Sequence, residues 1–242
     1  MRILFAFFAA ATLAHPLPAA ELLVAAASDL VRFETPLSRA YQAKTGQPVR
    51  FVFGSSGLLT RQIENGAPYD VFLCANEDFA RKLADTGRLK PDSLRLYARG
   101  RIALWSKSGK IRTLDALTGP GVRHIAIANP AHAPYGAAAR QMLERSGLWR
   151  RLESRIVLGE NIRQTLQFAE SGNADVAIVA WTLVFDRGGV LLPEESHSPI
   201  RQAAGIVEGS RQPALARVFL DLLTGAEGVA LLESLGLFRP AR

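Results

Sequence analysis

The feature that most constrains the fold is a regular alternation of short apolar segments with helical patterns along nearly the whole chain. The apolar segments are LLVAAA (22–27), VRFVF (49–53), DVFLCA (70–75), RIALW (101–105), HIAIA (124–128), RIVL (155–158) and DVAIVAW (175–181). Between them, residues that can face a core recur at helical spacing, as in Ile162, Leu166 and Ala169. Near-continuous apolar strands separated by helices are typical of parallel sheets covered on both faces. The sequence therefore predicts an α/β protein.

The first 20 residues differ from the rest. They carry one positive charge at Arg2, an apolar run over residues 3–14, and then prolines and small residues. This is the layout of a secretory signal peptide, and the apolar run is too short to span a bilayer. We therefore expect residues 1–20 to be a signal peptide, with the mature chain starting near Glu21.

Charge and cysteine content limit the partners and the cross-links. The chain has 29 Lys and Arg residues against 22 Asp and Glu, for a net charge of +7. The Arg residues are spread along the chain, which favours a solvated surface over a nucleic-acid interface. Cys74 is the one cysteine of the sequence, so no intrachain disulfide is expected.

Four strand-to-helix junctions carry residues suited to binding an anion. They are Ser28 in AAASDL, Ser55 and Ser56 in FVFGSSGLLTRQI, Pro134-Tyr135-Gly136 in APYG, and Asn161 in LGENIRQTL. Each junction would place free backbone N–H groups and the positive end of a helix dipole at the carboxyl end of a strand. Ligands of open α/β sheets bind at that edge, and converging helix N-termini suit a small oxyanion. Any one of these residues, taken singly, fits an ordinary helix cap better than an anion site, and the occurrence of four such junctions keeps both interpretations open at this point.

Competing chemistries have less support. GSSG lacks the G-x-S-x-G spacing of the hydrolase nucleophile, and no histidine stands out as the partner of a catalytic serine. Metal-ligand spacings and nucleotide-binding glycine motifs are missing from the sequence. A secreted serine hydrolase using Ser55 or Ser56, and a basic module for acidic polymers, remain alternatives.

Several longer motifs carry a family resemblance. They are AAASDL, GSSGLLTRQIENGAPYDVFLCAN, YARGRIALW, IANPAHAPYGAAA, GENIRQTLQFAESGNADVAIVA and FLDLLTGAEGVALLESLGL. In these motifs the chain resembles the periplasmic molybdate-binding proteins, the substrate-capturing components of molybdate ABC transporters. The resemblance runs over nearly all of residues 21–240 in the order of that family.

The resemblance implies a two-lobed periplasmic-binding-protein fold that closes like a clamp, each lobe a mostly parallel sheet flanked by helices. Residues 21–99 plus 199–242 would form lobe one and residues 100–198 lobe two. The crossing segments would lie near YARGR and SPIRQAAG.

The resemblance also implies the binding residues. Ser28 and Ser56 would bind the oxyanion from lobe one through hydroxyl and backbone, with Ser55 shaping the turn. The backbone N–H groups of Tyr135 and Ile162 would bind it from lobe two. Some relatives also use the N–H of the residue at Asp29, whose side chain we expect to point away from the anion and to cap its own helix.

One departure from the family concerns a donor. Some members place a tyrosine hydroxyl on the ligand at the position of Ala180, which has no such group. Another local donor, or a tighter wrap by the APYG loop, would have to replace it.

The function implied is capture of molybdate, and of tungstate, in the periplasm for the membrane permease of an ABC transporter. No catalytic residue, no resident metal, no cofactor, no nucleic-acid partner and a monomeric state are expected. The alternative within this fold is a binder of another tetrahedral oxyanion such as sulfate.

Overall fold

A computed structural model describes residues 21–240 of the chain. The predicted signal peptide, residues 1–20, lies outside the described residues. Within residues 21–240 no helix is both long and apolar enough to cross a membrane.

The first sheet has five strands in the order β2-β1-β3-β10-β4. Its strands are β1 (Leu22–Ala27), β2 (Val49–Gly54), β3 (Val71–Cys74), β4 (Arg95–Gly100) and β10 (Ile200–Ile206). The first three are mutually parallel, whereas β10 runs antiparallel to both β3 and β4. We call this sheet and the helices that pack on it lobe one.

The second sheet repeats the plan in the order β7-β6-β8-β5-β9. Its strands are β5 (Ile102–Trp105), β6 (Ile125–Ala128), β7 (Ile156–Gly159), β8 (Val176–Ala180) and β9 (Val190–Leu191). The strands β6, β7 and β8 are parallel, and β5 is antiparallel to β8 and β9. This sheet and its helices are lobe two.

Eight α-helices lie in the part of the chain that the structure describes. They are α1 (Glu34–Thr45), α2 (Ser56–Glu64), α3 (Glu77–Asp85), α4 (Pro134–Arg145), α5 (Trp149–Leu152), α6 (Ile162–Ser171), α7 (Pro213–Thr224) and α8 (Ala226–Ser234). A 3-10 helix, Ser28–Phe33, joins β1 to α1.

The core of lobe one shows why its strands are apolar on both faces. Val24 and Ala26 of β1 belong to a cluster with α1, α7 and α8, whereas Ala25 belongs to a cluster on the opposite face with α2 and α3. Alternate side chains of a strand point to opposite faces, so a strand covered on both sides needs apolar residues at every position. The prediction of an α/β protein with covered, mostly parallel sheets is confirmed.

The chain crosses between the sheets where the antiparallel strands lie. β4 ends at Gly100 and β5 begins at Ile102, so the first crossing takes place at Arg101. The second crossing leads into β10, whose first residue, Ile200, pairs with Gly100. Two adjacent strands therefore connect the lobes, and the two-lobed clamp is the observed fold. The lobe limits at 99/100 and 198/199 stay a prediction.

Candidate functional site

Strand register brings the four junctions together in pairs. In lobe one Ala27 at the end of β1 pairs with Gly54 at the end of β2, so the residues that follow leave the sheet side by side. In lobe two Ala128 of β6 pairs in the same way with Gly159 of β7. Each lobe therefore presents two helix beginnings at one sheet edge, and the two edges face each other.

A small pocket lies between these edges. Its lining is Ala27, Ser28, Asp29, Gly54, Ser55, Ser56, Ala75, Ala133, Pro134, Tyr135 and Ile162. All five residues named from the sequence as ligand contacts are thus brought together, and both lobes contribute. The cavity volume there is about 10 Å³, far below the roughly 300–1,000 Å³ typical of sites for drug-sized molecules. This size suits a small ion.

Lobe one contributes two serine hydroxyls. Ser56 is the first residue of α2 and is fully buried, and its Oγ accepts a hydrogen bond from the Ala75 N–H at 2.9 Å. That bond occupies an acceptor position of Oγ, so the hydroxyl hydrogen remains available to an anion. Ser28 is 3% exposed at the start of the 3-10 helix, and no side-chain hydrogen bond involves it within residues 21–240.

Lobe two contributes backbone donors. Tyr135 is the second residue of α4 and Ile162 is the first of α6, so neither N–H can bond within its own helix. Asn161 is the N-cap of α6, as its position in the sequence indicated, and its Oδ1 accepts from the N–H groups of Arg163 and Gln164 at 3.0 Å each. The cap therefore leaves the Ile162 N–H free to bind a ligand.

His132 joins the lobes beside the pocket, a contact that the sequence did not indicate. Its Nδ1 lies 2.8 Å from Ser55 Oγ, and its carbonyl oxygen accepts from the Gly57 N–H at 2.9 Å. A Cβ added at Gly57 would stand 2.8 Å from that oxygen, closer than real contacts allow. Glycine at this position therefore permits the two backbones to meet.

Ser55 is the N-cap residue of α2, but its side chain makes no capping bond because it is turned to His132. The contact is similar to part of a catalytic triad only superficially. His132 Nε2 lies 3.8 Å from Glu160 Oε1, beyond hydrogen-bond distance, and the Glu160 side chain is 58% exposed. No third group within residues 21–240 orients the imidazole as a nucleophile's base requires, so the geometry fits an interlobe contact.

Asp29 corrects one expectation from the sequence. Its carboxylate does not cap its own helix: Oδ2 accepts from Gln202 Nε2 at 2.6 Å and from the Tyr135 hydroxyl at 2.9 Å. The residue is fully buried, and burial raises the pKa of its carboxyl to about 6, while the hydrogen bonds from Gln202 and Tyr135 oppose the rise. The side chain is enclosed between the lobes and shielded from water, so it needs hydrogen-bond donors from the protein, and distant residues supply them. A capping side chain exposed to solvent would not need such donors.

The end of β8 supplies no ligand donor. Ala180 is fully buried and is not part of the pocket lining. Two residues further on, the Thr182 hydroxyl donates to the carbonyl oxygen of Asp29 at 2.8 Å. This end of lobe two therefore holds the backbone of lobe one in place.

The pocket is electrostatically unusual for an anion site because its lining has no Lys, Arg or His. Its donors are hydroxyls and the N–H groups at helix beginnings, which carry partial positive charge. No cluster of three or more His, Cys, Asp or Glu side chains able to hold a metal ion occurs within residues 21–240. The arrangement can bind a small oxyanion through neutral donors.

The chain is similar to known binding proteins over nearly its whole length. The family model described as bacterial extracellular solute-binding protein matches residues 22–238. The molybdate-binding protein ModA of Rhodobacter capsulatus is 33% identical over 228 residues, which cover 93% of this chain and 90% of that protein. ModA of Azotobacter vinelandii is 35% identical over 235 residues, covering 94% and 93%.

A solved structure has the same fold. The periplasmic molybdate-binding protein of Azotobacter vinelandii superposes with a TM-score of 0.86 at 33% identity, covering 91% of this chain and all of that one. The chain belongs to the bacterial extracellular solute-binding protein family.

Proposed function

We propose that this solute-binding protein captures molybdate in the periplasm, between its two lobes, and delivers it to the permease of an ABC transporter. Tungstate, with the same charge and nearly the same size, is the second expected ligand. The protein acts as a monomer, without a cofactor and without a nucleic-acid partner.

The single observation that carries this proposal is the convergence of neutral donors from both lobes on one small pocket. Ser28 and Ser56 offer hydroxyls from lobe one, and Tyr135 and Ile162 offer N–H groups from lobe two. A tetrahedral anion has acceptor oxygens in all directions, so it can bind both sets of donors at once. Binding would hold the lobes together. A transporter could distinguish this closed form from the protein without ligand.

The names of the relatives narrow the anion to molybdate. Sulfate carries the same charge in the same shape, so pocket size is the property that would separate the two. Close packing of helix beginnings on strand ends, as at Gly136 against Ala128, limits the dimensions of the site.

Isothermal titration calorimetry at neutral pH, with molybdate, tungstate, sulfate and phosphate in turn, tests this proposal. We expect molybdate and tungstate to bind with similar affinity and sulfate to bind far more weakly. Sulfate binding as tight as that of molybdate would refute the assignment and favour a general oxyanion carrier. Ester hydrolysis that disappears in Ser55→Ala would instead favour the hydrolase alternative.

A further inference from the structure

Asp29 is a buried carboxyl group whose two oxygens have very different surroundings. Oδ2 accepts hydrogen bonds from Gln202 Nε2 and from the Tyr135 hydroxyl. Oδ1 is equally buried and has no hydrogen-bond partner within residues 21–240. Buried polar atoms of native proteins nearly always have partners, so an orphaned oxygen on a residue that lines the pocket calls for a functional explanation.

The donors around Asp29 determine which oxygen can hold a proton. Gln202 Oε1 accepts from the Tyr97 hydroxyl at 2.5 Å, so its Nε2 faces the opposite side and donates both to Asp29 Oδ2 and, at 3.0 Å, to the Tyr135 hydroxyl. The Tyr135 hydroxyl in turn donates its hydrogen to Oδ2. Because Oδ2 already receives two hydrogens, a proton on this carboxyl group would reside on Oδ1.

The titratable groups that face Asp29 are all neutral near pH 7. Burial raises the pKa of Tyr97 on β4 and of Tyr135 on α4 well above the usual range. Burial also raises the pKa of Cys74 on β3 to about 12.

The charged groups nearby are engaged elsewhere. Arg32, one turn along the same 3-10 helix, is paired with Asp186. On α6, which also packs against this helix, Arg163 is paired with Glu170. No cation therefore compensates an ionised Asp29 through a direct contact within the described chain.

A bound dianion would shift the protonation equilibrium of the Asp29 carboxyl group. A second negative charge within a few ångströms disfavours ionisation of a carboxyl, and a buried site strengthens the repulsion. A neutral carboxylic acid in the same place has an O–H group to donate and is attracted to an anion oxygen.

We propose that Asp29 takes up a proton from solvent when the oxyanion binds, and that its Oδ1–H then donates a hydrogen bond to the ligand. This inference rests on the proposed function, because it needs a tetrahedral dianion in the pocket. Asp29 thereby becomes a specificity-determining residue: its acid form matches an anion that carries no proton of its own.

Proton uptake makes the affinity depend on pH with a definite sign. The pKa of the Asp29 carboxyl is about 6 in the structure, where the lobes are in contact, and a bound dianion would raise it further. Affinity is therefore greatest below pH 6, where the acid is already protonated before binding. As pH rises above 6 the affinity falls, by up to about tenfold per pH unit, until the pKa of the complex is passed.

Calorimetric titration with molybdate at pH 7.5, in two buffers of different protonation enthalpy, measures the uptake directly. We expect close to one proton taken up for each anion bound, and an affinity that decreases from pH 6 to pH 9. Binding with no proton uptake and no pH dependence would overturn the inference while leaving the proposed function intact. No binding of molybdate at any pH would instead refute the proposed function.

Asp29→Asn is the informative variant because its amide can donate from the position of Oδ1 without titrating. We expect its affinity for molybdate to be independent of pH and to exceed that of the unmodified protein at pH 9, with no proton uptake. An affinity that still falls with pH in this variant would contradict the proposal. The number of protons that the unmodified protein takes up for each anion bound still decides the question if the variant does not fold.

Phosphate provides a further test, since it carries a proton of its own near neutral pH. An ionised Asp29 would accept that proton, so phosphate would bind as tightly as molybdate and Asp29→Asn would abolish its binding. That result would overturn the proposal, and we expect phosphate to bind far more weakly than molybdate.

Discussion

The two lobes build their halves of the site from different parts of the chain. In the proposed site lobe one adds side chains, the hydroxyls of Ser28 and Ser56 and the carboxyl of Asp29, to the N–H groups at its helix beginnings. Lobe two offers the backbone, with the N–H groups of Tyr135 and Ile162 at the first turns of α4 and α6. A side-chain donor is removed by changing one residue, whereas a backbone donor survives every substitution except those by proline and those that move the helix.

This difference assigns a distinct role to the glycines. Gly136, in the first turn of α4, packs so closely on the end of β6 that an added Cβ would lie 2.0 Å from the Ala128 carbonyl oxygen. Gly57, in the first turn of α2, packs instead against His132 of the other lobe. One glycine therefore sets the geometry within lobe two, and the other sets the distance between the lobes.

The largest effect is expected for Gly136→Ala. Its Cβ would force the first turn of α4 away from β6, which displaces the Tyr135 N–H and strains lobe two. We expect the free energy of unfolding to fall by about 1–3 kcal/mol. Molybdate affinity should fall by roughly a hundredfold or more, because charge-assisted hydrogen bonds are worth about 1.5–3 kcal/mol each.

Gly121→Ala is the matched control for this variant. It lies in the same lobe, and its added Cβ would have no neighbour within 4 Å. Calorimetry and thermal unfolding of the two variants make the comparison. Equal molybdate affinities and equal unfolding temperatures of Gly136→Ala and Gly121→Ala would show that the position of α4 does not control binding.

A smaller effect is expected for Ser56→Ala. The change removes a hydroxyl donor to the anion and leaves the Ala75 N–H without its partner. Each charge-assisted hydrogen bond is worth roughly 1.5–3 kcal/mol, so the affinity for molybdate should fall about ten- to a hundredfold.

Ser55→Ala is the neighbouring comparison, since its Oγ contacts His132 and not the proposed anion. Loss of one neutral hydrogen bond should weaken binding only severalfold, because such bonds contribute about 0.5–1.5 kcal/mol. If calorimetric titration showed a larger loss of molybdate affinity for Ser55→Ala than for Ser56→Ala, the roles assigned to Ser55 and Ser56 would have to be exchanged.

An effect at the lower end of the range given for Ser56→Ala is expected for Gly57→Ala. Its Cβ meets the His132 carbonyl oxygen at 2.8 Å, a contact that exists only where the lobes touch. We expect about tenfold weaker binding of molybdate, from an overpacking cost of about 1–2 kcal/mol, with thermal unfolding of the ligand-free protein little changed. A large drop in the unfolding temperature would mean that the ligand-free protein depends on this contact for its stability. Gly57 would then not differ from Gly136 in the way proposed here.

Local pattern was sufficient for most of the secondary structure. The segment LLVAAA coincides with β1, and each of the other six apolar segments overlaps a strand whose ends differ from those of the segment by at most one residue. The antiparallel strands β4 and β10 were indicated only by the family resemblance. Their mixed sequences, RLYARG and IRQAAGI, have neither the apolar continuity of a covered parallel strand nor a clean alternation.

The site was harder to predict where contacts join distant parts of the chain. Asp29 was wrongly expected to cap its own helix, because its true partners, Tyr135 and Gln202, lie 106 and 173 residues away. The contact between Ser55 and His132 spans 77 residues and left no local pattern. Helix beginnings were visible because capping is local, whereas contacts between the lobes depend on how two sheets close on each other.

The direct test of the central claim is diffraction from crystals grown with molybdate, recorded at the molybdenum absorption edge. We predict one anomalous peak in the pocket, with anion oxygens about 2.5–3.0 Å from the hydroxyl oxygens of Ser28 and Ser56 and about 2.7–3.2 Å from the backbone nitrogens of Tyr135 and Ile162. A peak elsewhere on the protein, or one contacted by a single lobe, would contradict the claim.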